Sequence, residues 1–125
     1  MILLVDDHTD NREMYTEYLG TRGYNVVACG NSEECLNLAL RHVPDLILLE
    51  LRMGGLSGIE VLARLRGEMS LANVPVIALT ASVLPFQRAE AIAAGFTQVI
   101  AKPCLPEDLA DEIAKILSKA LRPPA

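Results

Sequence analysis

Cysteine, positive charge and long apolar runs are all scarce in this chain. Its three cysteines, Cys29, Cys35 and Cys104, are odd in number and show neither a C-x-x-C nor a Cys/His spacing. That excludes a disulfide framework and a zinc site and leaves them as small apolar thiols of the core. Lysine and arginine total 11 against 16 acidic residues, a formal net charge of -5. Nucleic-acid binding runs on clustered cations that release counterions, so no nucleic acid is expected as a partner of this domain. No apolar run approaches the ~18 residues of a membrane span. Asp6 and Asp7 cut the first apolar run before a signal peptide could form. No membrane is expected as a partner, and the expected setting is soluble and cytoplasmic.

With 125 residues, 51% hydrophobic and 22% charged, the composition is that of one core-bearing domain and far too apolar for disorder. Five short apolar runs punctuate it: Ile2 to Val5, Val26 to Cys29, Leu46 to Leu49, Val76 to Leu79, and Val99 to Ala101. They lack polar alternation, as strands buried on both faces of a parallel sheet do. Helical punctuation lies between them. Ser57 and Glu60 have the spacing of a capping box, and Asn31 with Glu34 imitates it. Pro106 suits the first turn of a last helix carrying Leu109, Ile113, Ile116, Leu117 and Ala120. Gly95 suits the end of the helix containing Ala89, Ile92 and Ala93. The pattern is five β-α units, an α/β doubly wound parallel sheet. One domain is expected over residues 1–122, with 123–125 a tail or the start of a linker.

In such a sheet, ligands bind beyond the carboxyl ends of the strands. There the sequence places Asp6 and Asp7 after the first run, Glu50 after the third, Thr80 after the fourth and Lys102 after the fifth. Carboxylates crowded together repel unless a cation sits among them, and oxygen ligands suit a hard ion such as Mg²⁺. An ammonium and a hydroxyl facing them would hold an anionic group such as a phosphoryl.

The segments ILLVDDHTDNRE, PDLILLELRMGGLSGIEVL, PVIALTA and AGFTQVIAKP together resemble the signature segments of response-regulator receiver domains of two-component signalling, over essentially the whole chain. The resemblance implies a flavodoxin-like, five-stranded sheet of order 2-1-3-4-5 with five helices. It implies a Mg²⁺ site in which Asp7 ligates directly, Asp6 acts alongside through water, and Glu50 and the backbone carbonyl of Arg52 supply further oxygens. It implies that Glu50 occupies the phosphoacceptor position, that Thr80 is the switch hydroxyl, and that Lys102 pairs with the phosphate or, at rest, with the third-strand acid. A sensor histidine kinase or phosphotransfer protein and a downstream effector or fused output domain are the implied partners. They would meet the face of the fourth helix, fifth strand and fifth helix.

The chain departs from the family where it matters most. The family's acceptor is aspartate, and Glu50 is one methylene longer; a misplacement of about 1 Å can cost ~100-fold in an alignment-dependent reaction. Three readings stand: a receiver that signals without phosphorylation, a phosphomimic, and an acceptor with adjusted geometry. Val99 stands where the family usually has Tyr or Phe, and Gly54 where it usually has Pro, so Gly54→Pro is expected to stabilise the loop if its angles permit. His8 is read as a loop residue capping the next helix or facing solvent, in preference to a metal ligand or phosphate carrier. His42 is read as surface, and Met14, Met53 and Met69 as packing. A non-enzymatic switch is the expected function, with a phosphorylation-independent interaction module as the alternative. A Mg²⁺-dependent phosphohydrolase of the haloacid-dehalogenase kind would want D-x-D, which Glu50-Leu51-Arg52 does not offer.

Overall fold

The computed structural model describes residues 1–53, 55–81 and 84–120. Gly54 and the tail at 123–125, on which two of the expectations rest, lie outside them, as does the side chain of Ala120. Five strands, β1 (Ile2–Val5), β2 (Val26–Cys29), β3 (Leu46–Leu49), β4 (Val76–Thr80) and β5 (Gln98–Ala101), alternate with five helices. The helices are α1 (Thr9–Thr21), α2 (Ser32–His42), α3 (Gly58–Arg66), α4 (Pro85–Ala94) and α5 (Pro106–Ala120), and a short 3₁₀ turn at Met69–Leu71 follows α3.

All strand pairs are parallel, in the order β2-β1-β3-β4-β5. The chain therefore reverses direction across the sheet beside β1 and β3, and the carboxyl ends of these two strands open a crevice there. Successive side chains on a strand point to opposite faces. Leu3, Val5, Ile47, Leu49, Val76 and Ala78 join residues of α2, α3 and α4 in one core, including Cys35, Ala39, Leu62 and Ala91. Ile2, Leu4, Leu46, Leu48, Ile77 and Leu79 join Tyr15 and Leu19 of α1 and Leu109 and Ile113 of α5 in the other. The result is three layers.

The uniform burial read from the five apolar runs holds only for the three central strands, every residue of which is buried. Strands β2 and β5 are edges with half-exposed positions, because no strand covers their outer side. The predicted caps are in place. Ser57 and Glu60 form the reciprocal capping box of α3, Asn31 accepts from Glu34 N at the start of α2, and Gly95 ends α4 with a left-handed φ of 116°. Helix α2 ends instead on Val43, a β-branched residue at φ 43°. Met69 is 96% exposed rather than packed. Cys29 and Cys35 are buried thiols, as expected, and Cys104 is partly so.

Candidate functional site

The rim of the sheet is built by backbone hydrogen bonds that extend each parallel ladder one residue past the strand. Asp6 N donates to Cys29 O (3.1 Å), Glu50 N to Val5 O (3.0 Å) and Lys102 N to Thr80 O (2.8 Å). These bonds fix the polar residues that immediately follow the apolar runs, so their side chains start from a rigid edge rather than from a loose loop. The edge is then closed from two sides. Arg12 of α1 donates from Nη1 to Asp6 O at 2.7 Å, and Tyr15 donates its hydroxyl proton to Cys104 O at 2.8 Å, tying α1 to the loop after β5.

Three of the predicted side chains meet directly. Lys102 Nζ lies 2.7 Å from Asp6 Oδ2 and 3.4 Å from Glu50 Oε2. Asp6 is 1% exposed and Glu50 5%. Lys102 does pair with the third-strand acid, through the 3.4 Å ion pair with Glu50, and it also makes a shorter hydrogen bond to Asp6 that was not expected. Glu50 Oε2 is buried and has no hydrogen-bond partner among the described residues. Thr80 is buried as the last residue of β4, in register with Ala101 beside Lys102. Asp7 is exposed, and Arg52 sits on the exposed loop after β3.

One ammonium serving two buried carboxylates sets them apart. Burial pushes the Asp6 carboxyl up, but the Lys102 hydrogen bond, the His8 backbone N–H and the charge of Lys102 together hold it below its ordinary value. Burial also pushes Glu50 up, and there the attraction of Lys102 is opposed by the negative charges of Asp6 and Asp7, so Glu50 ends above its ordinary value. The better-bonded acid carries its charge easily, and the other carries it reluctantly.

His8 was only partly legible. It stands at the N-cap of α1 but makes no side-chain cap. Its ring is two-thirds exposed, and Nδ1 lies 3.2 Å from Asp6 Oδ1 and 3.1 Å from Asp7 Oδ1. Arg12 and Tyr15 were not anticipated at all, since a helical residue that reaches backbone oxygen leaves no mark in the spacing. Val99 is buried in the core, which accords with a packing role.

This crevice, with its acids and its lysine at the carboxyl edge of a 2-1-3-4-5 sheet, invites comparison with known families. The model of the response regulator receiver domain matches residues 2–114. The chain belongs to that family. It is 31% identical to the phosphate regulon transcriptional regulatory protein PhoB of Pseudomonas aeruginosa over 94% of this chain, and spans only 52% of PhoB's length. It is 31% identical to the polar-differentiation response regulator DivK of Brucella anthropi, covering 82% of this chain and 83% of DivK. Among solved structures it is similar to the chemotaxis protein CheY4 of Vibrio cholerae, with a TM-score of 0.88 and 28% identity over 92% of this chain and 96% of that one. This is a receiver domain of two-component signalling, with the flavodoxin-like fold of CheY. No described helix is long and apolar enough to cross a membrane.

Asp6, Asp7 and His8 place ligand atoms within 4.8 Å of one another. With Glu50 Oε2 buried and held only by the longer ion pair to Lys102, the oxygen-rich donor set fits a divalent cation, whose charge would relieve the crowding that Lys102 relieves only in part.

Proposed function

We propose that this receiver domain is a switch in which Glu50 stands at the phosphoacceptor position and hinders or imitates aspartyl phosphorylation. The observation that carries this reading is the Lys102 bridge to Asp6 and Glu50. A carboxylate already occupies the ion-pair partnership that a phosphoryl group would need. The longer Glu50 side chain holds its oxygen toward Lys102, so the charge clamp is engaged before any phosphoryl arrives. The imitation is incomplete, because a carboxylate carries one charge and a phosphoryl nearer two.

In this reading Asp6, Asp7, Glu50 and the Arg52 carbonyl hold Mg²⁺, which supplies neutralising charge to an anionic group when bound. Lys102 orients that group, and the Thr80 hydroxyl, buried on the adjoining strand end, donates to it. A histidine kinase or phosphotransfer protein and a downstream effector or output domain are the partners. The work of the domain is protein interaction rather than turnover. The committed state of Lys102 also favours a second reading, an interaction module whose partner binding ignores phosphate.

Incubation with acetyl phosphate and Mg²⁺, followed by intact-mass measurement, tests the role of Glu50. No stable phosphate adduct is expected on the unsubstituted chain, and one is expected on Glu50→Asp. An adduct mapped to Glu50 sinks the reading. Partner binding with and without the phosphodonor separates the two readings, and identical affinities favour the module.

A further inference from the structure

We propose that Cys29 and Cys35 are a modification site, a buried dithiol where β2 meets α2 that a small peroxide converts reversibly to a disulfide. The spacing of the chain does not mark the pair, since five residues separate its members. The fold supplies the pairing. Cys29 ends β2 and Cys35 lies one turn into α2; both are free thiols, and both belong to the same core. Asn31, the N-cap of α2, turns the chain between them. Its backbone oxygen accepts from Cys35 N at 3.1 Å and lies 4.0 Å from Cys29 Sγ. There the two side chains meet in a thiol-thiol hydrogen bond. Sulfurs that face each other are the first requirement of a disulfide formed without large backbone movement. Where such bonds are not a structural framework, they are transient and redox-sensing.

The contact also sets the order of steps. Cys35 donates to the Cys29 sulfur, which holds the Cys29 thiol below its ordinary value and, together with burial, pushes Cys35 above its own. Thiolates are the nucleophiles of sulfur chemistry, so Cys29 attacks first. Its sulfur takes one oxygen of hydrogen peroxide as the O–O bond breaks, and the other oxygen leaves as hydroxide, which gains the thiol proton and becomes water. The Cys35 sulfur then attacks the Cys29 sulfenic acid. An S–S bond forms, the S–O bond breaks, and the hydroxyl leaves with the Cys35 proton as a second water. Two electrons pass from the thiols to the peroxide. The oxidant must be small, because Cys29 is 3% exposed and Cys35 0%. Cys29 lies on an edge strand, so a local opening of that edge admits it.

Two hydrogen bonds lead from the pair to the pocket. Cys29 O accepts from Asp6 N at 3.1 Å, and Ser32 Oγ, at the start of α2, accepts from Leu56 N in the loop after β3 at 3.2 Å. A covalent bond between β2 and α2 bears on both, whether or not Glu50 takes phosphate.

The test treats the reduced full chain with hydrogen peroxide, quenches with catalase, unfolds it in guanidinium chloride with N-ethylmaleimide and digests it with trypsin. The peptide of residues 23–41 holds both cysteines, and Cys104 falls in another peptide as an internal control. Peptide 23–41 is expected about 2 Da light, for the two hydrogens lost, and free of maleimide. Dithiothreitol should restore both maleimide sites. In Cys35→Ala the mass loss should vanish, and dimedone should label Cys29 as a sulfenic acid. The amide resonances of Asp6 and Leu56 should shift when the unsubstituted chain is oxidised. The digest of that chain decides even if Cys35→Ala fails to fold. Maleimide on both Cys29 and Cys35 at peroxide levels that oxidise Cys104, stable higher oxides of Cys29 in place of the link, or a link that forms only when peroxide is added to the unfolded chain overturns the proposal.

Discussion

Lys102 Nζ is 2.7 Å from Asp6 Oδ2, a hydrogen-bonded ion pair whose two members lie 96 residues apart in the chain. It joins the loop after β5 to the end of β1 across the width of two intervening strands. Because Glu50 shares the same ammonium at 3.4 Å, the pair sets both the stability of the rim and the charge state of the pocket.

Removing the ammonium leaves two buried carboxylates facing each other. Breaking a buried pair by deleting one partner typically costs 3–5 kcal/mol, so Lys102→Met is expected to lose about 3 kcal/mol in urea denaturation at pH 7.5 in EDTA. Saturating Mg²⁺ should recover part of that loss, since a cation can take over the neutralising role. A loss that is the same with and without Mg²⁺ argues against cation binding among these acids.

The two acids respond oppositely to pH. Glu50 is raised above its ordinary 4.5, so the folded state disfavours its charge. Its ionised form destabilises the fold above the raised value, and this is relieved as pH falls toward 4.5. Asp6 is lowered below its ordinary 3.8, so its contribution is complete above 3.8 and fades only as pH falls through the lowered value. Glu50→Gln should therefore raise the metal-free melting temperature at pH 7 to 8, with the gain shrinking to nothing below pH 4.5. A gain that grows with acidity contradicts the direction given for Glu50.

Gly58 opens α3 against the end of β3. A Cβ there would lie 2.8 Å from Glu50 O and 2.8 Å from Leu51 Cα, both backbone atoms of the segment that carries the Glu50 side chain. Helix propensity alone would favour alanine by roughly 0.5–1 kcal/mol. Overpacking costs about 1–3 kcal/mol, so Gly58→Ala is expected to destabilise on balance. Amide shifts at Glu50 and Leu51 should move. A stabilised variant would show that the backbone yields freely at that point.

Val43 ends α2 at φ 43° and is 44% exposed. A left-handed β-branched residue is strained by about 1 kcal/mol or more, and glycine takes that conformation without penalty. Val43→Gly is expected to stabilise the domain by roughly 1 kcal/mol in thermal or urea melts.

Much of this architecture is determined by the sequence alone. Short apolar runs without alternation can satisfy themselves only between two layers, which calls for a parallel sheet covered on both faces. The Ser57/Glu60 box, Asn31, Gly95 and Pro106 bound helices by local chemistry that needs no distant partner. The acids, threonine and lysine past the strands are placed on one edge by the parallel order itself. What tertiary structure alone decided is which of those side chains bond. Lys102 hydrogen-bonds Asp6 while ion-pairing Glu50 at longer range, His8 turned toward two carboxylates, and Arg12 and Tyr15 found backbone oxygens. The half-exposure of β2 and β5 likewise follows from their place at the sheet's edges. Such choices depend on differences of an ångström between elements distant in sequence, and on burial that exists only once the layers have closed, so no local pattern of residues encodes them.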